Sequence, residues 1–177
     1  MNVKCYTFCL IVFLAANLNA QVVDKLAFAG MLQEKFELNY LLSQPDSITT
    51  PKPLIVFLHG SGEKGNKLDD LDKLKSYGPF KYLADHQLDV YVLAPQCPEQ
   101  MYWNSEELYV LIQSVIRQNN IDTNRIYLTG FSMGAWGTWN MAYQYPNLFA
   151  AIVPVAGYVD RIPMIEVRSH SFVRLPF

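Results

Sequence analysis

Cysteine is scarce in this chain of 177 residues: there are three, and Cys5 and Cys9 lie inside an apolar N-terminal stretch. Without that stretch Cys97 stands alone, which excludes an internal disulfide framework. Charge is scarce too. Asp, Glu, Lys and Arg make up 17% of the residues and sum to a net charge of −2. With no basic stripe, the electrostatic footprint of a nucleic-acid binder is missing. There is no long like-charge run, low-complexity tract or internal repeat, which argues against a disordered tail or a solenoid. No His/Cys cluster has metal-ligand spacing, and no Gly-rich loop of the nucleotide type is present. The expectation is therefore no metal and no cofactor. What remains is a chain that is 51% hydrophobic, enough to bury the core of one ordinary globular domain.

Residues 1–20 read as a leader. Lys4 gives a small positive start, and Cys5 to Ala16 form an apolar stretch broken only by Thr7. Asn17-Leu18-Asn19-Ala20 then offers a small residue before Gln21. This is the pattern of a secretory signal peptide cleaved after Ala20, since the stretch falls short of the ~20 apolar residues a membrane span needs. No other segment is long and apolar enough to cross a bilayer. The expected location is secreted or periplasmic, with no membrane contact after cleavage. Cys97, in the turn-rich Ala94-Pro95-Gln96-Cys97-Pro98, reads as a packed small hydrophobe rather than a nucleophile.

Hydrophobic periodicity orders the rest. Apolar residues alternate from Phe36 to Leu42, the period of a half-buried strand. Leu54 to Leu58 is continuously apolar, as in a strand covered on both faces, and Val90–Ala94, Ile126–Thr129 and Ala151–Val155 repeat that pattern. Between them, Glu106–Asn119 places Leu108, Leu111, Ile112 and Val115 on one helical stripe, with glutamates first and Arg117 near the end. Met133–Tyr145, closed by Pro146, predicts a second helix, and Pro79–His86 a weaker third. Strands alternating with helices predict the α/β class, a parallel sheet with helices on both faces.

The chemistry concentrates at Gly130-Phe131-Ser132-Met133-Gly134. Gly-x-Ser-x-Gly between a strand and a helix is the pattern of a nucleophile elbow, a sharp turn that lifts a serine hydroxyl clear of the sheet. A serine needs a base to take its proton and donors to meet the oxyanion formed on attack. In this architecture one donor is the N–H after the serine, here Met133, and the other comes from a loop after an early strand. His59-Gly60-Ser61-Gly62 leaves the Leu54–Leu58 run at that place. Ser61 N–H is the expected second donor, with Gly62 the alternative. His59 itself reads as a structural residue of the loop. Among the aromatics Tyr102, Trp103, Trp136 and Trp139, most fit packing, and Trp103 is the expected substrate contact.

At these residues a resemblance appears. Leu54 to Gly65, Ala94-Pro95-Gln96-Cys97-Pro98 with Trp103, Tyr77-Gly78-Pro79, and Asn124 to Gly134 are similar to motifs of secreted carboxylesterases related to dienelactone hydrolases. That group is also labelled phospholipase/carboxylesterase or "predicted peptidase". The resemblance runs from Phe36 to Gly157. It implies an α/β-hydrolase fold and a cofactor-free Ser-His-Asp hydrolase of small-molecule esters, with residues 21–157 as a partial α/β-hydrolase domain.

The family pattern continues with two further strands, an Asp after the first and a His after the second. Here it ends near Gly157, and residues 158–177 form an atypical tail. Asp160 and His170 are the candidates for acid and base in that tail. The expectation is a shortened or frameshifted product lacking the last strands, impaired in catalysis and prone to self-association through an exposed sheet edge. Two other readings stay open: a non-catalytic binding module that keeps the pocket, and a serine peptidase.

Overall fold

The structure is a computed structural model that describes residues 21–32 and 35–158. The expected leader, Asp160 and His170 lie outside those residues. Six strands form one sheet: β1 (Val23–Met31), β2 (Lys35–Ser43), β3 (Lys52–Leu58), β4 (Tyr91–Pro95), β5 (Ile121–Phe131) and β6 (Ala151–Val155). Their spatial order is β1-β2-β4-β3-β5-β6. The four strands β4, β3, β5 and β6 run parallel, whereas β1 pairs with β2 and β2 with β4 in antiparallel fashion. The sheet is therefore mostly, not wholly, parallel. This is the α/β-hydrolase architecture.

Alternation along the central strands explains the two layers of helix. Leu54, Val56 and Leu58 of β3 join Tyr91 and Leu93 of β4 in a core shared with Leu108, Leu111, Ile112 and Val115. Those four belong to α3 (Ser105–Gln118), and Met141 in the same core belongs to α4 (Met133–Gln144). The intervening Phe57, Val92 and Ala94 face the other way, against Leu74 of α1 (Asp72–Lys75) and Phe80 and Leu83 of α2 (Gly78–Leu83). Continuously apolar strands are what two covered faces require. Each buried leucine contributes roughly 1.5–3 kcal/mol relative to exposure.

The covering is uneven. Tyr127 and Phe131 of β5 are 36% and 52% exposed, and Val153 and Val155 of β6 are 58% and 45% exposed. Phe131 pairs in register with Val155, and Val153 with Thr129. They alternate with the buried Ile126 and Leu128, so they occupy the face that α1 and α2 cover only further along the sheet. Among the described residues, β6 is also an open edge.

The start of α3 shows why the helix begins where it does. The Asn104 side chain accepts from the N–H groups of Glu106 and Glu107 at 3.0 and 3.3 Å. That caps the orphan donors of the first turn. No helix among the described residues is long and apolar enough to cross a membrane.

Candidate active site

Ser132 sits between the last residue of β5 and the first of α4, with φ 54° and ψ −113°. A non-glycine residue with positive φ is strained by its own Cβ, and such strain survives only where the surroundings fix it. Here they do. The Ser132 N–H donates to the Val155 carbonyl at 2.9 Å, and the Ser132 carbonyl accepts from the N–H groups of Ala135 and Trp136 at 3.0 and 3.2 Å. The elbow is thus fastened to β6 on one side and to α4 on the other.

Gly134 lets the helix come this close. A Cβ there would overlap the Leu58 carbonyl, and one on Gly130 would overlap the Gly134 carbonyl. The absence of both side chains brings α4 down onto the end of β3, where the next loop begins.

That loop, from His59 to Gly65, is held from several directions. The Gly65 N–H donates to the Cys97 carbonyl at 3.2 Å. Gln96 Nε2 donates to the carbonyls of Glu63 and Asp70, both at 2.9 Å. Lys73 Nζ donates to the Lys64 carbonyl at 2.9 Å. His59 is 1% exposed; its Nε2 accepts from the Cys97 N–H at 2.9 Å, and its Nδ1 lies 2.6 Å from the Gly60 carbonyl. This pairing fixes a neutral ring protonated on Nδ1. Burial pushes its pKa down to about 4. Both ring nitrogens are engaged with backbone, so His59 is not poised to deprotonate Ser132.

Ser61, Lys64, Tyr102, Ser132, Met133 and Trp136, with residues 156–158, line one open cleft of about 620 Å³. The two residues expected to supply backbone donors, Ser61 and Met133, therefore share a cleft with Ser132. Met133 opens a helix, where first-turn N–H groups have no intrahelical acceptor. Tyr102 meets Trp136 edge-on with centroids 6.2 Å apart, and Lys64 Nζ lies 4.6 Å above the Tyr102 ring.

Trp103 corrects an expectation. It is 6% exposed, packs edge-on against His59, and donates from Nε1 to the His59 carbonyl at 3.3 Å. A Cβ on Gly137 would sit 2.8 Å from its ring, so a helix glycine makes the space it fills. The side chains that do line the cleft are the adjacent Tyr102 and Trp136. Lys64 and the turn after β6 were not singled out from sequence; Lys64, four residues past the Gly-rich start of its loop, is the one that spacing could have flagged.

Cys97 is fully buried, with Sγ donating to the Met101 carbonyl at 3.4 Å. Burial pushes its thiol up to about 11, which suits a packed hydrophobe rather than a thiolate. His86 lies beyond α2, stacked on Tyr82 with its Nδ1 3.0 Å from the Tyr82 carbonyl. Among the described residues no three His, Cys, Asp or Glu side chains are grouped to hold a metal ion.

The chain is similar in sequence and fold to known hydrolases. Residues 102–173 match the prolyl oligopeptidase family. Acetylxylan esterase A of Emericella nidulans is 46% identical over 54 residues, 30% of this chain and 18% of that enzyme. A bifunctional acetylxylan esterase/xylanase of Neocallimastix patriciarum is 29% identical over 119 residues, 64% of this chain and 17% of that protein. The crystal structure of a thermostable esterase superposes with a TM-score of 0.63 at 30% identity, over 82% of this chain and 44% of that one. An acetyl xylan esterase from Aspergillus awamori gives 0.63 at 20% identity, over 78% of this chain and 53% of that one. This chain spans about half or less of the length of each.

Proposed function

We propose that this chain, an α/β-hydrolase related to carboxylesterases, hydrolyses small-molecule esters with Ser132 as nucleophile. The observation that carries the reading is the strained, doubly anchored Ser132 at the mouth of a cleft, at the N-terminus of α4. In this reading Ser132 Oγ attacks the ester carbonyl as its proton leaves to a base. The negative charge that develops on the carbonyl oxygen is met by the N–H groups of Ser61 and Met133. Preorganised donors of this kind are worth about 10²–10³ in rate each. The alcohol leaves, and water then releases the acid from the acyl-serine.

The Ser132 proton needs a base. The sequence has three histidines. His59 is locked into its loop and His86 stacks on Tyr82 away from the cleft lining. His170, with Asp160 as its acid, or a histidine lent by another chain, fills the role. Without such a partner only the residual catalysis of the oxyanion hole and binding remains.

Signal-peptide export of residues 1–20 accompanies this reading, as does self-association through the sheet edge at β6, where β5 and β6 also expose an apolar face among the described residues. Exposure of Phe131, Val153 and Val155 in one patch supports the latter. The match to the prolyl oligopeptidase family keeps a peptidase as the second reading. Amide cleavage needs stronger protonation of the leaving group, so the two separate on paired substrates. Hydrolysis of 4-nitrophenyl acetate that disappears in Ser132→Ala, without cleavage of the matching anilide, supports the esterase. Ligand binding without turnover points instead to a non-catalytic binding module.

A further inference from the structure

The cleft at Ser132 carries one charge among its described lining residues, and that charge is positive. Lys64 is half-buried there, and the other lining side chains are neutral. Its neighbouring carboxylates are committed elsewhere. Glu63 turns toward His59, with Oε2 3.8 Å from Nδ1. Asp70 accepts from the N–H groups of Asn66 and Lys67 at 3.1 Å each and pairs with Lys73 at 3.1 Å. Lys64 itself has no carboxylate partner among the described residues.

Nor is Lys64 a loosely swinging surface lysine. Its carbonyl is held by Lys73 Nζ, and its ammonium rests on the Tyr102 ring at 4.6 Å. A cation over an aromatic face is held electrostatically by the ring quadrupole, which fixes its position without neutralising it. Tyr102 in turn meets Trp136 edge-on, and both rings line the same cleft as Lys64 and Ser132. An aromatic substrate ring held against these side chains shares the cleft with the ammonium, which attracts a carboxylate substituent on that ring.

We propose that Lys64, Tyr102 and Trp136 form a subsite that selects ester substrates bearing a carboxylate on a flat ring. The proposal deepens the esterase reading, since it takes the Ser132 cleft as the substrate cleft, but binding at the subsite needs no turnover. A charged contact in a partly open cleft gives about a tenfold preference for the anion, stronger than an exposed surface pair would.

The test is a titration of the full chain with benzoate and with benzamide, followed by protein fluorescence and by ligand NMR. These probes share shape and differ in charge. Wild type should bind benzoate about tenfold more tightly than benzamide, and the difference should shrink as salt is raised. Lys64→Gln should remove the preference and Lys64→Arg should keep it, both with an unchanged near-UV spectrum. Ser132→Ala should also keep it, so that a failed hydrolase reading leaves the subsite result standing. Equal binding of the two probes to wild type, no binding of benzoate at millimolar concentration, or a preference that persists in Lys64→Gln overturns the proposal.

Discussion

His59 accepts a hydrogen bond at 2.9 Å from the backbone N–H of Cys97, joining the loop after β3 to the exit of β4. The bond needs a neutral ring, because a protonated Nε2 cannot accept. With its pKa pushed down to about 4, His59 stays neutral in the folded chain well below the ordinary value of 6.5. Above that ordinary value both states are neutral and the contribution to stability is complete. As pH falls from 6.5 toward 4 the unfolded chain takes up the proton and the folded one does not, so stability drops.

Acidification from neutral pH to the folded-state pKa should therefore cost roughly 3 kcal/mol through this group. Urea unfolding at a series of pH values reads the slope, and His59→Gln should flatten it in that window. A wild-type slope retained in the variant would assign the effect to other groups.

Gly134→Ala should destabilise the protein by about 3 kcal/mol, at the upper end of overpacking costs, because the new methyl meets backbone rather than a yielding side chain. The obstacle is the Leu58 carbonyl. A change in unfolding midpoint below the error of measurement would mean that α4 does not lie this close to β3.

Backbone strain at Ser132 can be tested apart from chemistry. At φ 54° a glycine is unstrained whereas an alanine is not. Ser132→Gly should be more stable than Ser132→Ala by about 1 kcal/mol, and neither should hydrolyse ester. Equal stability of the two variants would deny the elbow its left-handed turn.

The apolar patch that β5 and β6 expose at the sheet edge, among the described residues, predicts concentration-dependent association. Val153, 58% exposed, is the substitution of choice. Val153→Glu should lower association in sedimentation velocity while changing stability by less than about 0.5 kcal/mol, as exposed substitutions do. A wild-type chain that stays monomeric across the accessible concentrations would contradict the surface reading.

Much of this was legible from pattern. The central strands β3 and β4 announced themselves because both of their faces are buried, and α3 because Leu108, Leu111, Ile112 and Val115 recur on one stripe. β1 escaped notice: it is half-buried, inserts mainly Leu26 and Phe28, and its apolar run Leu26–Met31 is half alanine and glycine, which are weak strand formers. The early part of β5 was hidden for a different reason. Asp122 to Arg125 are polar, held by the Asp122–Arg125 ion pair at 2.6 Å and by Asp122 Oδ1 accepting from the Asn124 N–H at 2.9 Å. The direction of Trp103 was beyond reach, since loops have no period. It turns inward because Gly137, distant in sequence, leaves the space. Spacing in its loop could flag Lys64 as a residue, but not its partner, since the Tyr102 ring beneath it comes from a second loop.

If Ser132 is an activated nucleophile, a fluorophosphonate probe labels the folded full chain. The expected result is a stoichiometric adduct mapped to Ser132 and absent from Ser132→Ala. A folded sample that takes up no label would contradict it, leaving an elbow with its shape intact and no base to make it react.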